Sequence, residues 1–374
     1  MRRDATWIWQ HADWPAFRWD PSRLASPLAR ARLAQGRVLG KLDALGLEVA
    51  ADALADITVA EALGTAAIEG ERLDPAAVRS SVARHLGLDA AGLPAPSRPV
   101  DGLVEVLLDA TRGHDRPLTL ERLCTWQAAL FPTGRSGLSE IRVGALRGDA
   151  PMRVVSGRFG RERVHFEAPP RERLEAELER FLGWFDAPPE GLDGLVRAGL
   201  AHLWLVTLHP FEDGNGRIAR AVTDMALCQD EGSPVRAFSL SARIVEVRED
   251  YYRVLEETQR GGMEVTAWLG WFLEQVEAAA RESEAVVARI VAKARFWVRH
   301  RDTPLNARQR KVLNRLLDAG PGGFEGGMTT RKYAHLTGTS RATAQRELAD
   351  LVAKGCLRPL GRGRATAYEP VLPE

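Results

Sequence analysis

The segment His209-Pro210-Phe211-Glu212-Asp213-Gly214-Asn215-Gly216-Arg217-Ile218-Ala219-Arg220 constrains this chain more than any other stretch. Before it, Leu192 to Leu208 is apolar almost throughout and reads as a buried central helix, with Leu195, Leu200, Leu203 and Val206 among its residues. After it, Arg217 to Leu227 resumes helical spacing, with Ile218, Val222 and Met225 on one buried stripe. The loop between them has to serve two packed helices and carry its own chemistry. Gly214 and Gly216 flank Asn215 immediately before a helix, so backbone N–H groups can converge on an anion at the positive helix end. Arg217 and Arg220 are three apart and can face the same ligand. Two guanidinium clamps beside a phosphate cradle imply a polyphosphate. Asp213 offers the hard oxygen that Mg²⁺ takes when it also bridges phosphates. His209 ends the preceding helix; an ordinary imidazole pKa of about 6.5 leaves it largely neutral at pH 7 and able to accept a proton. Phe211 reads as an apolar plug that fixes the loop. A base, a metal ligand, a cradle and two clamps together describe a nucleotidyl-transfer site.

Most of the remaining chain carries helical periodicity, which predicts a mainly α fold. Ser26 with Pro27 is the expected start of a helix that Gly46 stops. Thr58 and Glu61 form a capping-box pattern for a short helix ending at Gly70, on which Thr65 and Glu69 share a face. Gly92 to Pro99 is a Pro-rich loop, and helical spacing returns through Val104, Leu107 and Leu108, then Leu120 to Leu130. Val154, Val155, Val164 and Phe166 around Ser156-Gly157 predict a β-hairpin or flap. Further helices are expected at 171–185, 248–259 and 266–299. Beyond the linker Asp302-Thr303-Pro304, helices at 306–317, 329–336 and 341–353 and a hairpin over 357–368 give the order of a winged helix-turn-helix. At 374 residues two or three domains are expected: a helical region over 1–110 with the short helix at 58–70, a core over 111–300, and the C-terminal module over 301–374.

Charge and cysteine content exclude several classes. The chain holds 51 basic and 50 acidic residues, so there is no global attraction to nucleic acid or membrane. From Asn306 onward, however, 12 Lys or Arg stand against 6 Asp or Glu, which makes a basic tail module on a mildly acidic body. Cys124, Cys228 and Cys356 are scattered, with no C-x-x-C pair, which argues against disulfides and zinc and suits a reducing cytosol. No apolar stretch approaches ~20 residues and no long apolar leader follows Met1, so neither a membrane span nor a secretory signal is expected. Trp7, Trp9, Trp14 and Trp19 are expected to pack the N-terminal segment onto the body.

The loop matches at every defined position the signature of the Fic family, His-x-Phe-x-Asp/Glu-Gly-Asn-Gly-Arg-x-x-Arg. Phe131 to Arg135, Ile141-Arg142 and Gly157 to Pro170 resemble the family's lead-in and flap, Tyr251 and Tyr252 a helix that walls its adenine pocket, and the Trp-rich start with Gln35-Gly36 the extension of a bacterial subgroup. The resemblance implies a Fic helical core with a β-hairpin flap, and transfer of AMP from ATP, with Mg²⁺, to a Ser, Thr or Tyr hydroxyl of a target protein. It assigns His209 as the base, Asp213 as metal ligand, and Gly214, Asn215, Gly216, Arg217, Arg220, Tyr251 and Tyr252 to nucleotide binding. Val154, Val155, Ser156 and Gly157 would dock the target by strand addition. A kinase-like branch carries Lys where this chain has Gly216, so the resemblance is not to that branch. Thr65-Ala66-Ala67-Ile68-Glu69-Gly70 matches the family's inhibitory pattern, in which Glu69 is expected to form a two-pronged salt bridge with Arg220. In some members the same glutamate supports removal of AMP.

Other readings stay open on sequence alone. One is a DNA-binding transcriptional regulator whose Fic portion senses nucleotide, with Arg341 and Arg346 on the candidate recognition helix and Arg358, Arg362 and Arg364 on the wing. Another is transfer of UMP or phosphocholine, because the loop reads phosphates and not the base. The C-terminal module can equally contact protein, and a homodimer is not decided.

Overall fold

The computed structural model describes residues 6–43, 47–88, 90, 92–157, 163–318, 326–361 and 366–372. The chain divides into two compact units, Met1–Leu39 with Leu54–Arg281, and Gly40–Ala53 with Glu282–Glu374.

In the first unit the described helices are α1 (Pro21–Asp43), α2 (Leu47–Ile68), α3 (Pro75–Leu86), α4 (Arg98–Arg112), α5 (Leu120–Leu130), α6 (Arg171–Asp186), α7 (Gly194–Leu208), α8 (Asn215–Glu231), α9 (Leu240–Glu246) and α10 (Arg248–Gln259); α1 and α2 continue into the second unit, as does α11 (Thr266–Arg299). The apolar run becomes α7, buried along nearly its whole length, and it packs against α8 at the centre of the unit. Ile218, Val222 and Met225 are fully buried, as their spacing predicts. Trp7, Trp9 and Trp14 are buried and Trp19 is half-buried. Trp9 and Trp14 donate their indole N–H groups to the Glu167 carbonyl and the Glu177 carboxylate, so the N-terminal segment is tied to the body.

Two helix starts differ from the sequence expectation. Pro27 lies inside α1, which begins at Pro21; the Asp20 carboxylate accepts from the Ser22 N–H and occupies the capping role given to Ser26. Gly46, the expected stop, lies outside the described residues. Thr58 does not begin a helix either. It sits within α2, where its hydroxyl donates to the Leu54 carbonyl one turn back, and Glu61 turns inward to accept from Ser239 Oγ and the Ser241 N–H. A capping-box pattern in mid-helix reads the same in sequence; burial of Glu61 decides against it. Gly70, at φ +82°, does end this segment.

Two short antiparallel hairpins interrupt the helices. β1 (Arg135–Ser136) pairs with β2 (Ser139–Glu140), a turn the sequence reading missed. β3 (Arg153–Ser156) pairs with β4 (Arg163–Glu167), the expected flap, with a register shift between Val154 and Val155.

The second unit contains α12 (Ala307–Leu317), α13 (Thr330–Thr337), α14 (Arg341–Ala353) and the antiparallel pair β5 (Leu357–Leu360) and β6 (Ala367–Pro370). Val312, Leu316, Tyr333, Leu348, Leu351 and Leu357 form part of its core. Glu347 ties three helices by accepting from Arg308, Asn306 and the Tyr333 hydroxyl. Arg341 and Arg346 are exposed on α14, and Arg358 pairs with Glu369. Arg362 and Arg364 lie outside the described residues. Among the described residues no helix is long and apolar enough to cross a membrane.

Candidate active site

The loop from His209 to Gly214 joins α7 to α8, and its shape follows from a few local bonds. His209 closes α7 in the left-handed region at φ 50°, and Gly214 precedes α8 at φ +88°. A Cβ at Gly214 would lie 2.9 Å from the Phe131 ring, so both the backbone angle and the space require glycine. The Asn215 side chain accepts from the Phe211 N–H at 2.9 Å and donates to the Phe211 carbonyl at 2.8 Å. Its amide is therefore spent on the loop itself, while Phe211 is fully buried beneath, the plug its apolar ring suggested. Arg147, which the sequence reading did not single out, is buried below the loop and donates to the His209 carbonyl at 2.9 Å. Glu212 accepts from the Arg142 N–H, tying the loop to the segment before the flap.

His209 Nδ1 lies 3.1 Å from the Val206 carbonyl, an acceptor, so Nδ1 carries the proton and Nε2 keeps a free lone pair. Burial holds this imidazole below its usual pKa, with the Val206 bond and the Glu69 and Asp213 charges acting the other way. A neutral, accepting imidazole at neutral pH is the result. Asp213 is half-buried and bonds to the Ser136 hydroxyl and to the Gly214 N–H. Among the described residues no cluster of three or more His, Cys, Asp or Glu is arranged to hold a metal. A single carboxylate beside a glycine-flanked helix start is nonetheless a donor set that fits Mg²⁺ where phosphates supply other oxygens.

Arg220 and Arg217 are 2% and 6% exposed. Arg220 Nη2 donates to Glu69 Oε1 at 2.6 Å and its Nε to Thr65 Oγ1 at 2.7 Å. The two-pronged bridge expected between Glu69 and Arg220 is thus single: the guanidinium Nε goes instead to the Thr65 hydroxyl, and Nη2 also reaches the Thr65 carbonyl at 3.2 Å. Arg217 lies over the Phe131 ring at 4.8 Å and donates to Glu71 at 3.2 Å, a contact the sequence reading missed although Glu71 follows Gly70 directly. Arg220 Nη1 and Arg217 Nε are buried with no hydrogen-bond partner among the described residues. Buried donors left unspent are costly, and at the start of α8 these two are free to bond an added group.

The two tyrosines separate. Tyr251 is buried, and its hydroxyl bonds to His202 Nε2 at 2.9 Å, whereas Tyr252 is 40% exposed and donates to the Ile68 carbonyl at 3.2 Å, beside Glu69. On the flap, Val154, Val155, Ser156 and Gly157 are exposed, and β3 is bonded only to β4 among the described strands. A surface cavity of about 710 Å³ bounded by Asp109, Arg116, Arg122 and Trp126 includes none of these residues, and Arg116, Arg122 and Trp126 all donate to Asp109.

Residues 117–227 match the family model described as Fic/DOC, and residues 7–88 match a domain of unknown function, DUF4172. The chain is 34% identical over 124 residues to the uridine 5'-monophosphate transferase of Xanthomonas campestris pv. campestris (strain 8004), covering 32% of this chain and 22% of that protein. It is 30% identical over 142 residues to the protein adenylyltransferase fic-1 of Caenorhabditis elegans, covering 37% and 25%. The chain therefore spans about a quarter of the length of these curated relatives. A solved Fic family protein from Desulfovibrio desulfuricans G20 shares the fold with a TM-score of 0.54 at 19% identity, over 96% of this chain and 98% of that one. With the loop intact inside the matched segment, residues 117–227 of this chain form a Fic/DOC domain.

Proposed function

We propose that this chain is a protein adenylyltransferase that moves AMP from ATP onto a Ser, Thr or Tyr hydroxyl of a target protein, and that Glu69 holds it inactive. The observation that carries the reading is the pair of buried arginines at the start of α8, each with an unspent donor, facing carboxylates supplied by the segment after α2. Two desolvated guanidinium groups suit the β- and γ-phosphates of a triphosphate. His209 Nε2, with its lone pair free, takes the proton of the incoming hydroxyl as that oxygen bonds to the α-phosphorus and pyrophosphate departs. Backbone N–H groups at Gly214 to Gly216 stabilise the charge that develops. Asp213 would hold Mg²⁺, which when bound neutralises phosphate charge. Tyr252 would wall the adenine, with the buried Tyr251 packed against its ring at 5.1 Å, and the open edge of β3 at Val154 to Gly157 receives the target as an added strand. With Glu69 in place, ATP is admitted only in a register its γ-phosphate disfavours. Thr65, Glu69 and Gly70 form that inhibitory unit, in an N-terminal region that runs to about residue 110.

The cradle recognises phosphates and not the base, and one relative is named a UMP transferase, so nucleotide choice needs a direct test. The wild-type, Glu69→Gly and Glu69→Gly/His209→Ala proteins are incubated with Mg²⁺ and each of ATP, GTP, CTP and UTP and weighed intact. A gain of one AMP in Glu69→Gly that the double variant lacks supports the proposal. Glu69→Gly protein that neither binds ATP nor gains mass sinks it.

Exposure of Arg341 and Arg346 on α14, in a module with net positive charge, favours a second role in DNA binding through a winged helix over about 301–374. A duplex-binding assay across salt concentrations tests it: binding that is absent at low salt ends that reading. Both activities fit a cytoplasmic protein.

A further inference from the structure

The flap carries a second constellation that none of the chemistry above uses. Ser156 Oγ on β3 lies 2.6 Å from His165 Nε2 on β4, and His165 Nδ1 lies 2.6 Å from Glu256 Oε2 on α10. A carboxylate only accepts, so the Nδ1 proton belongs to the bond with Glu256, and the bare Nε2 faces the serine hydroxyl, which donates. Glu256 is itself held in place: Arg163 Nη2 at 3.0 Å and Arg260 Nε at 3.2 Å both donate to its other oxygen. The strand register places the histidine. Val155 pairs with Val164 and Val154 with Phe166, so His165 is the unpaired residue of a bulge, the feature by which a hairpin re-aims one side chain.

Nucleophile, base and orienting carboxylate at hydrogen-bond distances are what an activated serine needs. We propose that Ser156 is a second nucleophilic centre of this protein, with His165 as its base and Glu256 as the positioning residue, and that it accepts phosphoryl groups. The charge balance favours that class: two guanidinium groups, on Arg163 and Arg260, stand against one glutamate, leaving a positive rim that suits an anionic phosphoanhydride better than a neutral ester. In the step, Ser156 Oγ forms a bond to phosphorus, the bridging P–O bond of the anhydride breaks, and the leaving phosphate takes the electron pair. The serine proton passes to His165 Nε2. The product is a seryl phosphoester on the exposed strand β3. Ser156 lies on the strand proposed to dock the target, but no residue is shared with the His209 loop, so serine labelling and nucleotidyl transfer are read out separately.

The probe is diisopropyl fluorophosphate, which requires the same attack at phosphorus and releases fluoride. The full chain is labelled and the modified peptides are quantified by mass spectrometry, with Ser139, exposed on β2, as the internal reference. Ser156 is expected to label well ahead of Ser139, and His165→Ala to slow it by roughly 100-fold, the usual contribution of a general base. Because His165→Ala can also loosen the hairpin, His165→Gln is the second variant: glutamine can bridge serine and glutamate but cannot take up the proton. Equal loss in both, with unchanged thermal unfolding of His165→Gln, supports a base. Labelling of Ser156 no faster than Ser139, or a wild-type rate in His165→Gln, overturns the proposal.

Discussion

Glu69 Oε1 accepts a 2.6 Å bond from Arg220 Nη2 and lies over Gly216, where a Cβ would meet it at 2.3 Å. One carboxylate oxygen therefore sits against the first turn of α8, where the helix dipole and open backbone N–H groups favour an anion. On the proposed mechanism, phosphate and Glu69 compete for the same ground. A hydrogen bond to a charged group contributes about 1.5–3 kcal/mol, so Glu69→Gly should raise ATP-dependent transfer by roughly 10- to 100-fold. Labelled-ATP incorporation that stays at the wild-type level removes Glu69 as the lock.

The neighbouring pair, Glu71 with Arg217, should matter less. Glu71 is 47% exposed on its side chain, and its closest approach is 3.2 Å. Partly solvated ion pairs contribute about 0.2–1 kcal/mol, so Glu71→Ala alone should raise transfer by roughly two- to five-fold. Combined with Glu69→Gly, the effect should fall short of the product of the two, since both carboxylates ride on one segment. A multiplicative effect would show that the two arginines are restrained separately.

Gly64 sets how closely α2 can approach the core. A Cβ there would lie 2.5 Å from the Ala242 backbone N and 2.7 Å from the Ser241 carbonyl carbon, so no side-chain rotation relieves the contact. Gly64→Ala should displace α2 and with it Thr65 and Glu69, weakening the lock without touching either residue. Transfer is expected to rise toward the Glu69→Gly level, with thermal stability lowered. Lower stability with unchanged transfer would show that the lock follows the core and not the helix position.

His209 is held below its ordinary imidazole pKa by burial, so the acid limb of the transfer rate in Glu69→Gly protein should lie at a lower pH than about 6.5. The rate should stay flat as pH falls through neutrality and drop only below that limb. A limb at or above the ordinary value would remove His209 as the base.

How far the sequence disclosed this site depended on how local each contact is. The loop was legible because its glycines, its arginines and its plug lie within a dozen residues, and their placement follows from backbone angle and helix spacing. Glu69 was legible for the same reason, one helix turn from Thr65. What sequence hid was long-range. Nothing about Arg147 in an irregular segment announces that it will hold the His209 carbonyl, 62 residues away, and Glu71 looks like any charge after a helix stop. Thr58 and Glu61 misled because a capping box and a buried mid-helix glutamate share one pattern, and only the Ser239 and Ser241 donors, more than 170 residues on, distinguish them. Tyr251 and Tyr252 are adjacent, yet helix geometry sends one inward to His202 and leaves the other beside Ile68.

His202 links the three central helices of the site, with Nδ1 on Thr223 of α8 at 3.0 Å and Nε2 on Tyr251 of α10 at 2.9 Å. Burial lowers its pKa to about 3, with the Arg220 charge acting in the same direction. The unfolded chain binds a proton at about 6.5, so the depressed folded value means stability that is complete above pH 6.5 and is lost progressively as pH falls toward 3. Between pH 7 and pH 5 this one residue should lower the unfolding free energy by about 2 kcal/mol. His202→Gln can retain one or both hydrogen bonds but binds no proton. Its urea unfolding curves at pH 7 and pH 5 should therefore lie closer together than those of the wild type, although it is less stable at pH 7. If the separation between the two curves is the same in both proteins, the imidazole is not buried as a neutral group and the three-helix link does not depend on it.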